Sequence, residues 1–406
     1  MIPAQSAPAS ASASAAPPRA APGKIVFANQ LRGLAALCVV LVHYTVVYQY
    51  MQPMLGWALA MPAVPGVPAP WATWFYPWWL DLGAFGVALF FLISGFVIPF
   101  SLHRATRGGF LLARTLRILP TYWAALLVEW AVVGGFSRYW GKPVVFDRAT
   151  FLANAVLIHT AIGGLGVDFV NWSLVIEVKF YLLMALLRPF VVRARVGPLL
   201  LCAAGALVFC ALEGQGALCL PPQLASEAAF LVFMLVGTLF HYHLAGAVRA
   251  RRLVLAGAAL LAAGALCWRL GPDGVNFPRK SLNYGYALAV FAGCYALRAR
   301  FRPLQLLDLA AAVSYPLYLV HSLVGFSLMT YAILAWHVPY AVAAPGAFAV
   351  VVLVAWTLHA TVERAGIAAG RRLAAASVTA RTMWPRGTGF VAPPRSPLAD
   401  PAPDLD

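Results

Sequence analysis

His43, Glu177 and His321 each interrupt an apolar run. An ionisable side chain is costly in a bilayer and by default marks a functional site or a satisfied pair. His43 follows Arg32 by eleven residues. At about 100° per residue the two stand roughly 20° past three full turns, on one helix face and about 16 Å apart along the axis. That spacing places Arg32 at the cytoplasmic edge of a span and His43 near mid-membrane. Glu177 and His321 reach similar depths, roughly 20 Å and 18 Å above the inner edge by the same rise. A carboxylate that orients an imidazole favours its charged form, which suits a general base, so the pattern predicts a His43–Glu177 catalytic pair. The purely structural alternatives are a core histidine bonded to a carbonyl and a buried ion pair of Glu177 with Lys179.

Arg104, Arg107, Arg114 and Arg117 follow the second apolar run. Arg114 and Arg117, spaced i, i+3, neighbour each other on a helix. Paired guanidiniums bind phosphate through bidentate hydrogen bonds, although lipid headgroups would satisfy arginines at this edge as well. Ser94 is either a nucleophile or, more simply, a hydroxyl bonded to its own helix, which with Gly95 permits close packing. His241 and His243 diverge on a helix, so no metal site is expected.

The elements that must carry these groups follow from composition. The 406 residues are 62% hydrophobic and only 10% charged, where a soluble domain carries about 25% charged residues. One buried core cannot absorb that excess, so lipid must. The formal charge of +16 does not point to nucleic acid, because the basic residues sit at the ends of apolar runs. Runs long enough to span lie at about 32–50, 82–102, 120–137, 172–189, 197–213, 224–244, 253–269, 281–297, 309–335 and 341–362. Residues 150–163 read as a shorter buried or re-entrant helix. The expected fold is an all-α polytopic membrane protein of about ten transmembrane helices with both ends cytoplasmic (N-in and C-in). Of the 29 Lys and Arg, 22 then fall on the inside and 6 outside, with Lys179 within a span. Trp71–Leu80 reads as an interfacial aromatic belt. Residues 1–22 and 373–406 are expected to be disordered tails flanking one membrane domain over 23–372. A Cys210–Cys219 disulfide is a further possibility.

Five segments, in order, resemble the membrane acyltransferase 3 family. Arg32–Gly33–Leu34–Ala35–Ala36 with His43 resembles its opening motif, and Gly86–Phe96 its second-span signature. Phe110, Arg114, Arg117–Ile118 and Pro120–Trp123 resemble its Arg-x-x-Arg-Ile-x-Pro-x-Tyr segment. Asn171–Leu174 with Glu177 and Phe180–Leu182, and Ser314–His321, resemble two later elements. The chain departs from the pattern at Asn29–Gln30, Ala88 and Ala365. The resemblance implies transfer of an acyl group, usually acetyl from cytosolic acetyl-CoA, to a hydroxyl of a carbohydrate or other acceptor at the inner membrane. It implies no permanently bound cofactor. Arg32, Arg114 and Arg117 would hold the donor, His43 and Glu177 would be catalytic, and Ser94, Tyr122, Trp172, Tyr315 and His321 would line the pocket. The competing reading is a transporter or flippase whose mid-depth polar groups form a substrate or proton path.

Overall fold

The computed structural model describes residues 25–66, 69–272 and 274–383. Among them the chain is helical, with no strand. The long helices are α1 (Val26–Tyr50), α2 (Leu82–Arg104), α3 (Arg107–Trp140), α4 (Asn171–Val191), α5 (Gly197–Gly214) and α6 (Gln223–Leu244). They continue with α7 (Ala250–Leu270), α8 (Phe277–Ala296), α9 (Ser314–Val320), α10 (Leu323–Trp336) and α11 (Tyr340–Ala374). Among the described residues seven of these are long and apolar enough to cross a membrane, or eight if α9 and α10, bent by 53° at their break, count as one. The two expected spans that fall short are α4, which carries Glu177, Lys179 and Arg188, and α8, which carries Arg279 and Lys280. Their polar residues are those the bundle uses internally.

Local chemistry sets the boundaries. The Asp81 side chain accepts from the Ala84 amide at 3.0 Å and starts α2, and Thr106 caps α3 through the Gly109 amide at 3.0 Å. Because Thr106 starts the helix so early, Arg107, Arg114 and Arg117 lie on the first turns of α3. Arg107 was expected in a loop, and Arg114 and Arg117 on the helix entering a span at 120–137. Residues 150–163, expected to be one shorter buried or re-entrant helix, instead hold the end of a short helix, Arg148–Ala155, and a separate 3-10 turn, His159–Ile162, with Leu152, Val156, Ile158 and Ile162 exposed. Past α11 the helix runs on to Met383, into the 373–406 segment expected to be a tail. Its alanines favour helix there. Residues 1–22 and 384–406 lie outside the described residues. Cys210, buried against the Ala225 carbonyl, and exposed Cys219 are both free thiols, so the disulfide is not formed.

The centre of the bundle is α2, packed on α1, α6 and α8. Its crossing with α6 depends on two glycines. A Cβ on Gly95 would stand 1.9 Å from the Met234 carbonyl oxygen, and one on Gly237 would stand 2.3 Å from that of Leu92. Close approach through small residues is how helices associate where lipid removes the hydrophobic drive. A separate contact joins α2 to α4, where Ser94 meets Glu177. In the turn before α2, Trp74 and Trp78 are exposed, while Trp71 packs on Tyr340 with ring centroids 5.4 Å apart.

Candidate active site

His43 opens a π-helical turn, His43–Val47, within α1. Such single wide turns recur at functional sites. His321 sits across from it at the break between α9 and α10. Its Nδ1 lies 3.1 Å from the Leu317 carbonyl and 2.9 Å from that of Tyr318. Carbonyls only accept, so Nδ1 carries the hydrogen, and the neutral ring keeps a lone pair on Nε2. That Nε2 is 2.9 Å from His43 Nδ1. It therefore accepts from His43, and this leaves His43 Nε2 without a hydrogen. Two backbone carbonyls thus set the tautomer of a residue 278 positions away. The rings lie 4.8 Å apart at 27°, and the Tyr44 hydroxyl donates to the His321 carbonyl at 3.1 Å, which ties the break to α1.

Two cavities meet here. The first, about 70 Å³, is lined by Arg32, Arg114, Arg117, Ser94, Glu177, Tyr181 and Tyr315 among others. Glu177 Oε1 accepts from the Ser94 hydroxyl at 3.1 Å and the Tyr181 hydroxyl at 2.5 Å. Arg114 donates to Ser101 and lies over the rings of Phe110 and Tyr181, 5.8 and 5.6 Å from their centroids. Tyr315 donates to the Ile118 carbonyl at 3.0 Å. Three guanidiniums against one carboxylate leave the lining of this cavity with an excess of positive charge. The second cavity, about 240 Å³, is lined by His43, Asp81, Trp172, Phe230, Lys280 and Tyr284. Val87 and Tyr318 line both, and form the wall between them.

The structure rearranges the expected roles. No hydrogen bond or ion pair joins Glu177 to His43 among the described residues; His321 is the partner of His43, and Glu177 belongs to the arginine cavity. Lys179 pairs with Glu227, not Glu177. Ser94 does not bond its own helix but donates to Glu177. Tyr122 donates to the Asn154 carbonyl at 2.9 Å, buried away from both cavities. Trp172 and Tyr315 do line cavities, one each. Tyr181, Tyr318, Asp81, Lys280 and Tyr284 were not foreseen. Tyr181, one turn from Glu177 at i+4, and Tyr318, within the Ser314–His321 segment, carried a sequence signal.

A family model described as an acyltransferase domain matches residues 25–360. The chain belongs to the acyltransferase 3 family. No curated protein and no solved structure matches it. This acyltransferase 3 chain is a membrane acyltransferase, and that takes the place of the transporter reading. Within it His43 offers an unprotonated ring nitrogen, held in orientation by His321, and lines the aromatic cavity, which Val87 and Tyr318 divide from the cationic one.

Proposed function

We propose that the protein is an O-acetyltransferase that moves an acetyl group from cytosolic acetyl-CoA to a hydroxyl of a cell-surface or exported carbohydrate. In this reading it crosses the inner membrane ten times with both ends cytoplasmic, α4, α8 and the bent α9–α10 pair included. The arginine cavity faces the cytosol and takes the thioester end of the donor. The aromatic cavity takes the acceptor, whose ring faces suit Trp172, Phe230 and Tyr284 while Asp81 and Lys280 meet its hydroxyls.

One observation supports this most: the bare Nε2 of His43, a residue that lines the aromatic cavity, which shares Val87 and Tyr318 with the arginine cavity. The acceptor hydroxyl gives its proton to His43 Nε2 as its oxygen attacks the thioester carbon. The imidazolium is stabilised through His43 Nδ1–H and the His321 ring behind it. The C–S bond breaks as the C–O bond forms, and the thiolate leaves into the cationic cavity and takes the proton from His43. Glu177, held by Ser94 and Tyr181, offsets part of the positive charge of the three arginines that line the same cavity.

Labelled acetyl-CoA with the detergent-purified protein and a glycan acceptor tests the reading. Acetyl transfer lost by about 10²-fold or more in His43→Ala is expected; transfer at the wild-type rate in that variant sinks the assignment. Mass spectrometry of surface glycans with and without the protein identifies the acceptor.

A further inference from the structure

The arginine cavity, at about 70 Å³, is far below the roughly 300–1,000 Å³ of pockets that enclose whole ligands. It has room for a thioester end and none for a nucleotide. A separate open hollow of about 570 Å³ lies where α2 turns into α3 beside the end of α4, lined by Thr106, Arg107, Gly108, Arg188 and Arg193 among others. Two helices place it independently. Arg107 precedes Arg114 by seven residues on α3, and Arg188 follows Tyr181 by seven on α4. Each interval is about 10 Å of helix, so the hollow opens beyond the arginine cavity on the side away from His43.

The arginines are held in place. Arg107 Nη2 donates across to the Leu186 carbonyl of α4 at 3.5 Å, and Arg188 Nε donates to the Leu102 carbonyl of α2 at 3.1 Å. Arg193 Nη1 donates to the Pro189 carbonyl at 3.2 Å. A guanidinium has five N–H donors, so one such tether orients it without exhausting it. No carboxylate lines the hollow, and among the described residues neither Arg107 nor Arg193 has an acidic partner. Thr106, Arg107 and Gly108, at the start of the 34-residue α3, line the same space.

We propose that this hollow is a docking site for a phosphate-bearing group, and that it holds the nucleotide phosphates of the acyl-CoA donor while the thioester arm runs on into the arginine cavity. The inference rests on the donor reading above. It assigns Arg32, Arg114 and Arg117 to the thioester end and Arg107, Arg188 and Arg193 to the phosphates.

The test compares wild type with Arg107→Gln/Arg193→Gln in nanodiscs of phosphatidylcholine alone and with added phosphatidylglycerol. Acetyl-CoA and S-acetylpantetheine, which lacks the nucleotide, serve as donors. In both lipids the variant is expected to raise KM for acetyl-CoA about 10-fold or more, with kcat changed less than about 2-fold. The advantage of acetyl-CoA over S-acetylpantetheine should shrink by the same factor, and inhibition by adenosine 3′,5′-bisphosphate should weaken likewise. Arg107→Lys/Arg193→Lys keeps the charge but not the fork, and should fall between. An unchanged KM overturns the inference. So does an effect seen only with phosphatidylglycerol, which would make the hollow a lipid-headgroup site. A wild type that transfers acetyl from neither donor overturns the donor reading itself, before any substitution is made.

Discussion

His321 Nε2 lies 2.9 Å from His43 Nδ1, and the Leu317 and Tyr318 carbonyls behind His321 determine which ring donates. The arrangement makes His321 a positioning residue for His43, in the place where a carboxylate was expected. His321→Leu should lower kcat by about 10²-fold or more, because His43 loses the acceptor that holds its tautomer. His321→Gln keeps an amide oxygen able to accept from His43 Nδ1–H and should retain more activity. Steady-state kinetics decide it, and equal losses in the two variants would count against the tautomer argument.

Ser94 donates to Glu177, whose same oxygen already accepts from the Tyr181 hydroxyl, and no histidine lines the arginine cavity. Ser94→Ala should therefore keep more than about a tenth of the transfer rate and cost about 0.5–1.5 kcal/mol of stability, as for one lost hydrogen bond. A nucleophile would behave otherwise, with its loss removing nearly all turnover. Rate and unfolding midpoint measured on the same preparation separate the cases.

Lys179 and Glu227 form an ion pair in which the glutamate is buried. Glu227→Gln should cost little more than the pair contributes, whereas Lys179→Ala strands a buried carboxylate and should cost about 3 kcal/mol. A double-mutant cycle of Lys179 with Glu227 should give a clear coupling energy, and one of Lys179 with Glu177 a value near zero. Thermal unfolding in detergent provides both numbers.

Gly95 has no room for a side chain, since its Cβ would stand 1.9 Å from a backbone oxygen of α6. Gly95→Ala should cost about 3 kcal/mol by forcing α2 and α6 apart. Ala347 in α11, buried but remote from that crossing, offers a comparison through Ala347→Gly, expected to cost about 1 kcal/mol from helix propensity. Size-exclusion profiles and unfolding midpoints should rank the two, and a Gly95→Ala protein as stable as wild type would refute the packing argument.

Trp172, Phe230 and Tyr284 line the cavity that His43 faces. Trp172→Ala should raise KM for a sugar acceptor by about 10-fold while KM for acetyl-CoA changes little, since it removes an aromatic wall worth roughly 1 kcal/mol or more. Kinetics with each substrate varied in turn check the split, and an equal rise in both constants would place Trp172 outside the acceptor site.

The sequence by itself determined what depends on neighbours along the chain. Apolar run lengths located the helices, the Arg32–His43 spacing put those two on one face of α1, and five motifs in order marked the family. Capping by Thr106 was readable too, and it explains why α3 begins before Arg107, but the apolar run alone set the expected start at 120. Only the tertiary structure decided who meets whom. His43 and His321 are 278 residues apart, and nothing local distinguishes His321 from Glu177 as the partner when both reach mid-depth. The choice falls to the rotation and crossing of whole helices, settled by contacts such as Gly95 against α6 and by the 53° break at His321 and Ser322. The same packing turned Glu177 toward Ser94 and Tyr181, gave Lys179 to Glu227, and divided one expected path into two cavities that share Val87 and Tyr318, with His43 lining the aromatic one.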